Sequence, residues 1–155
     1  MNETGSGSPI EAIRVVLDTN VFVAAAFNPQ SHAARIIDAV RKGRLRLIWN
    51  EATRCETRRI LQRIPPVAWE PFEDLFREEN RHRETVNPGW FGHVRDPDDR
   101  KFGALAYATG ASLITQDDDL LAGRSNVDVP ILTPAESGNR WFGTTEALPE
   151  EWALS

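Results

Sequence analysis

The chain predicts an α/β domain with a mainly parallel central sheet and helices on both sides. Three observations carry that reading. Short apolar runs alternate with stretches of helical periodicity, the order expected of strands joined by helical crossovers. Two of the runs, Ile13–Leu17 and Ala111–Thr115, are almost continuously apolar, as strands covered on both faces are. Each is followed at once or within two residues by an acid, Asp18 and Asp117, and ligand sites of such sheets lie beyond the carboxyl ends of the strands.

Ile13–Leu17 is the first strand, nearly all apolar and β-branched, and a helix over Val21–Phe27 follows it. After Ser31, the apolar residues Ala33, Ile36, Ile37 and Val40 recur at helical spacing until Gly43 stops them. Leu45, Leu47 and Trp49 alternate as a second strand, and Asn50 caps a helix running to about Ile64, before Pro65 and Pro66. Trp69, Phe72, Leu75 and Phe76 predict another amphipathic helix over Val67 to about Arg81. Glu84–Arg95, with its Pro-Gly, reads as loop, and Asp96-Pro97 opens a helix that continues through Phe102, Leu105 and Ala106 to Gly110. A third strand follows at Ala111–Thr115, a fourth around Val127–Leu132, and a short helix from Pro134.

The 155 residues fit one domain, divided as a flexible leader over 1–12, a folded core over 13–137 and a C-terminal extension over 138–155. Hydrophobic residues at 41% and charged residues at 26% are ordinary for a folded protein and exclude a largely disordered chain. The single cysteine, Cys55, forms no intramolecular disulfide, which suits a reducing cytoplasm. No stretch approaches the ~20 apolar residues of a membrane span, and the opening MNETGSGSP lacks the basic and apolar regions of a secretion signal.

The net charge of -5 hides an uneven distribution. Residues 35–63 carry nine basic side chains against three acids, whereas 96–155 carry four against eleven. That polarity suits an enzyme holding a polyanion on one surface and a cation between carboxylates on another, and it equally suits solvated helix faces.

Four acids stand where a carboxylate needs a partner. Asp18 projects from the carboxyl end of the first strand, where it also serves as an N-cap, and Asn20 is placed to orient a neighbouring carboxylate. Glu56 shares the helical stripe of Ile60 and Ile64, so it either meets a cation or an inward arginine or reaches water at the stripe's edge. Asp96, Asp98 and Asp99 crowd a helix start, which the helix dipole favours without any catalytic reason, and spacing does not separate Asp98 from Asp99. Asp117, Asp118 and Asp119 repel one another beyond the third strand, which calls for a cation, a helix cap or both.

At these residues the chain resembles the PIN domain family of metal-dependent ribonucleases, many of them toxins of toxin-antitoxin pairs. The resemblance runs from about Arg14 to Glu136. VVLDTNVFVAA resembles the family's opening strand, NEATRCETRRIL its second acidic helix, and DPDDRKFGALAYATGASLITQDDDLL its third block. It implies a single PIN-like domain in which Asp18, Glu56, Asp99 and Asp117 bind Mg²⁺ or Mn²⁺, supported by Asn20, Thr115 and Asp119. The arginine-rich second helix and the tail beyond Glu136 depart from the family pattern.

The resulting expectation is a Mg²⁺- or Mn²⁺-dependent endoribonuclease that hydrolyses phosphodiester bonds to a 5′-phosphate and a 3′-hydroxyl. Arg41, Lys42, Arg44, Arg54, Arg58 and Arg59 are candidates for gripping the RNA backbone. His32, His82 and His93 sit in polar or helix-opening positions, not placed for metal-free acid-base work. The family raises an antitoxin protein as partner, and the tail aromatics Trp141, Phe142 and Trp152 raise a homodimer. The rival readings are a catalytically silent RNA-binding or interaction protein of the same fold and a haloacid dehalogenase-like phosphatase. The latter wants a second Asp where this chain has Asn20.

Overall fold

The computed structural model describes residues 13–87 and 97–142, with the backbone alone for 97–99. The leader, Asp96, His93, most of the Pro-Gly loop and the tail beyond Phe142 lie outside the described residues. Strands β1 (Ile13–Leu17), β2 (Leu45–Leu47), β3 (Ser112–Ile114) and β4 (Ile131–Leu132) form one parallel sheet in the order β2-β1-β3-β4. β1 lies between its two partners in register, Val15 opposite both Leu47 and Ser112, and Val15, Val16 and Leu17 are buried while Ile13 and Arg14 are exposed.

Among the described residues seven α-helices connect and cover the strands: α1 (Thr19–Phe27), α2 (His32–Arg41), α3 (Glu51–Leu61), α4 (Glu70–Glu73), α5 (Pro97–Thr109), α6 (Asp118–Ala122) and α7 (Pro134–Phe142). Alternation along β1 distributes them between two faces. Val15 and Leu17 bury against Val21 and Phe22 of α1 and Ile36, Ile37 and Val40 of α2. Val16 faces the other way, against Phe102, Leu105 and Ala106 of α5. Burying each such side chain contributes about 1.5–3 kcal/mol, which makes the two apolar layers the main force holding the α/β arrangement. Gly43 and Gly110 close α2 and α5 with φ of 80° and 73°, a left-handed turn that a side chain with Cβ would strain.

Asn50 caps α3 as expected, with its side chain accepting from Thr53 N while Thr53 Oγ1 accepts from Asn50 N. The sequence reading fails where burial overrides periodicity. The long helix expected over 67–81 is only α4 and a short 3₁₀ turn at Glu78–Asn80. Phe72 and Phe76 pack on Phe22, Phe76 also meets Trp49, and Trp69 lies 5.3 Å from the Phe76 ring, whereas one straight helix would set residues seven apart about 10 Å from each other. Backbone groups of this segment are taken by Trp49, whose indole Nε1 donates to Arg77 O at 2.7 Å and whose backbone bridges Asn80 and His82. For the same reason the second strand ends at Leu47, and Trp49 survives only as an isolated bridge to Arg81. α3 stops at Leu61, three residues short of the expected end, and the strand expected over Val127–Leu132 is reduced to its last two residues. Among the described residues no helix is long and apolar enough to cross a membrane.

Candidate active site at the carboxyl edge of the sheet

β1 delivers Asp18 to the carboxyl edge, where the chain turns directly into α1. Asp18 is the N-cap of that helix, its Oδ1 accepting from Thr19 N at 2.7 Å. Its Oδ2 accepts from Thr115 Oγ1 at 2.7 Å and from Asn20 Nδ2 at 3.4 Å. Thr115 lies just past β3 and Asn20 in the first turn of α1, so two adjacent strand ends and a helix fix one carboxylate. Asn20 is held in turn, its Oδ1 accepting from Gln116 N at 3.2 Å.

Asp117 stands on the same edge as the N-cap of α6, where Oδ1 accepts from Asp119 N and Leu120 N. Its own N–H donates to Thr115 Oγ1 at 2.9 Å, so a single hydroxyl links Asp117 to Asp18. The cap is therefore Asp117 and not Asp119, whose exposed side chain stands in the first turn of α6. At both Asp18 and Asp117 the cap bond occupies Oδ1 and fixes the direction of Oδ2.

Glu56 comes from α3, a helix locked to α1 by the buried contact of Thr57 Oγ1 with Thr19 Oγ1 at 2.9 Å. The cationic partner is not an inward arginine but an exposed one of the same helix: Arg59 Nη2 donates to both Glu56 oxygens at 2.8 Å. Lys101 of α5 reaches Glu56 Oε1 at 3.3 Å and so joins the helices of opposite faces above the sheet edge. Asp99 lies on α5 two residues before Lys101, in its first turn, a backbone placement that puts it at the same end of the fold.

The electrostatics separate the two buried acids. Burial is the largest influence on Asp18, 4% exposed, and pushes its carboxyl up to about 6. The Asp117 and Glu56 charges act in the same direction, against the bonds from Thr115 and Thr19. Burial also raises Glu56, but the Arg59 bonds and Lys101 outweigh it and hold that carboxyl below the usual range. Asp18 thus differs from Glu56 in having, among the described residues, no basic side chain bonded to it, only the Thr115 hydroxyl, the Thr19 N–H and the Asn20 amide. Among the described residues no three acidic, His or Cys side chains come together as a group that could hold a metal ion.

The chain belongs to the PIN domain family, whose model matches residues 14–119 and so covers β1 to β3, α3 and the acidic edge, but not β4. PIN domains are in general nucleases. The chain is also 29% identical over 144 residues to an uncharacterized protein of Methanocaldococcus jannaschii, covering 80% of this chain and 88% of that one. No solved structure gives a significant match.

The basic residues expected to grip RNA are scattered. Arg59 alone of the six is bonded to one of the acids. Arg54 stacks over Trp69 with Glu73 beside it, and Arg58 is exposed on α3. Arg41, Lys42 and Arg44 precede β2, at the opposite edge of the sheet, where they meet Asp74, Asp38 and the Phe142 ring. Lys101 was missing from the sequence reading. Its only signal there is its place two residues after Asp99, and nothing local shows that it leans across to α3.

Proposed function

We propose that this protein is a metal-dependent endoribonuclease whose site is Asp18, Glu56, Asp99 and Asp117 at the carboxyl edge of the sheet. The observation that carries the reading is the buried Asp18 carboxylate, held by Thr115 and Asn20 and raised chiefly by burial, with Asp117 and Glu56 adding to it. A residue kept this way destabilises the free fold, and a cation shared with Asp99 and Asp117 would offset it. Mg²⁺ or Mn²⁺ bound there would supply Lewis-acid activation of water and neutralisation of charge at phosphorus.

Around that chemistry the side chains have separate tasks. Asp18 and Asp117 present oxygens whose directions are fixed by the helix caps and the shared Thr115 hydroxyl. Glu56, poised between Arg59 and Lys101, orients the attacking water or exchanges its cationic partners when phosphate draws them away. Arg59 and Lys101 lie where a scissile phosphate would meet positive charge, and Arg58 extends that charge along α3. Water adds in line at phosphorus as the P–O3′ bond breaks, leaving a 5′-phosphate and a 3′-hydroxyl. The toxin of a toxin-antitoxin pair is the biological role that fits such an activity in this family.

The test is cleavage of single-stranded and structured RNA with Mg²⁺ or Mn²⁺ by the wild type, Asp18→Asn and Asp99→Asn. Loss of cleavage in both variants with RNA binding kept supports the proposal. RNA binding without cleavage by the wild type identifies a silent module, and hydrolysis of small phosphate esters without RNA cleavage identifies a phosphatase. Growth arrest on expression, relieved by a small co-expressed partner, tests the toxin role.

A further inference from the structure

At the edge of the sheet opposite the acids lies a second polar pocket of about 140 Å³, between the start of β1, β2 and the segment around residues 79–82. Arg14 and Arg46 line it from adjacent strands, where they are register partners. Residues so paired project from the same face, and like charges directly opposite destabilise a sheet. Arg14 is anchored by Nη1 donating to Thr109 O at 2.6 Å, whereas Arg46 makes no ion pair or hydrogen bond among the described residues. Arg81 and His82 add to the lining, and Glu79 is its one carboxylate. Arg81 is committed elsewhere, over Trp49 and beside Glu51 and Glu78.

The second observation is Asn80, which also lines the pocket and is only 7% exposed. Its Oδ1 is buried without a hydrogen-bond partner. Native folds satisfy almost all such groups, so a buried amide oxygen left without a donor points to a ligand. Turning about its terminal bond lets the amide offer either the oxygen or the NH₂ to the pocket. The volume is well below the range that encloses a free small molecule, and it suits one group of a longer polymer.

We propose that this pocket is a second contact for the RNA strand, in which Arg14, Arg46 and the Asn80 amide hold one backbone phosphate away from the acidic edge. The proposal rests on RNA as the substrate. Arg14 is four residues before Asp18 on β1, about 13 Å along the strand, so a bound RNA of modest length spans both sites. The pocket fixes the strand without reading bases, since phosphate contacts position rather than specify.

The experiment measures binding of fluorescent single-stranded RNA, four and about fifteen nucleotides long, to full-length Asp18→Asn protein by anisotropy. Further changes are Arg46→Glu, Asn80→Ala and, as a control for charge, Arg63→Glu at the exposed end of α3. Arg46→Glu weakens the long RNA about tenfold and lowers the slope of log affinity on log salt by ~0.7, while the four-nucleotide RNA is unaffected. Asn80→Ala weakens the long RNA severalfold with an unchanged salt slope, and Arg63→Glu changes it less than twofold. Equal losses for Arg46→Glu and Arg63→Glu, or losses independent of RNA length, overturn the pocket. Circular dichroism confirms the fold, and Arg46, being exposed, keeps the test valid even if Asn80→Ala unfolds. Absence of RNA binding by every protein, the wild type included, instead removes the substrate reading itself.

Discussion

Asp18 and Glu136 are both carboxylates at a helix start, and the fold drives them in opposite directions. Glu136 closes a capping box on α7, its Oε1 accepting from Thr133 N while its own N–H donates to Thr133 Oγ1. Arg124 grips it with both guanidinium nitrogens, at 2.7 and 3.1 Å. The Arg124 bonds, followed by the Thr133 N–H, hold the Glu136 carboxyl down at about 2. Asp18, equally well bonded as a cap, is pushed up to about 6 because burial dominates and the nearest charges are negative. Hydrogen bonding alone does not tell a structural acid from a reactive one; what differs is whether the fold itself supplies the countercharge. Size does not tell them apart either. The cleft of about 870 Å³ bounded by Arg124 and Glu136 is larger than anything described at the acidic edge, and its only acid outside the satisfied pair is Asp128.

The comparison is broken most directly by Asp18→Asn. We expect RNA cleavage in Mg²⁺ to fall at least 100-fold, read from initial rates on a labelled strand, with Glu136→Gln indistinguishable from wild type. Comparable losses in the two variants would mean that Asp18 is merely another structural cap.

Stability moves the opposite way. For a group raised from 3.8 to about 6, the folded state binds the proton more tightly, so metal-free stability falls as pH rises from about 4 to 6. Asp18→Asn removes that penalty and raises stability at pH 7.5 by about 3 kcal/mol, with little gain at pH 4. Denaturant melts at the two pH values check the sign.

Metal sharpens the same contrast. Mg²⁺ or Mn²⁺ raises the wild-type melting temperature at pH 7.5 and leaves Asp18→Asn nearly unchanged. The rise shrinks below pH 6, where a proton competes for Asp18. Scanning calorimetry with and without chelator reads both effects.

The smallest effect belongs to Glu136→Gln. A depressed carboxyl stabilises the fold above its unfolded value of 4.5, and that contribution is lost as pH falls through about 2. The pair is 40% and 42% exposed, so solvent screening leaves only about 0.5–1 kcal/mol, visible as a weaker acid-induced loss of stability in the variant.

Much of this was legible in the chain. The continuously apolar run of β1, the pattern of α2 and the Asn50 and Ser31 caps are local signals, and they placed Asp18, Thr115 and Asp117 at strand ends before any packing was known. The 67–81 segment failed because its aromatic spacing fits a helix while their packing around Phe22 and Trp49 does not.

The sequence by itself therefore determined the parallel α/β class and which acids end strands, because hydrophobic period and capping act over a few residues. Only the tertiary structure decided which acid receives a countercharge. Lys101 and Arg59 meet at Glu56, Thr115 joins Asp18 to Asp117, and Arg14 pairs with Arg46 across residues far apart in the chain. Desolvation and Coulomb forces depend on distance in space, which no local pattern encodes.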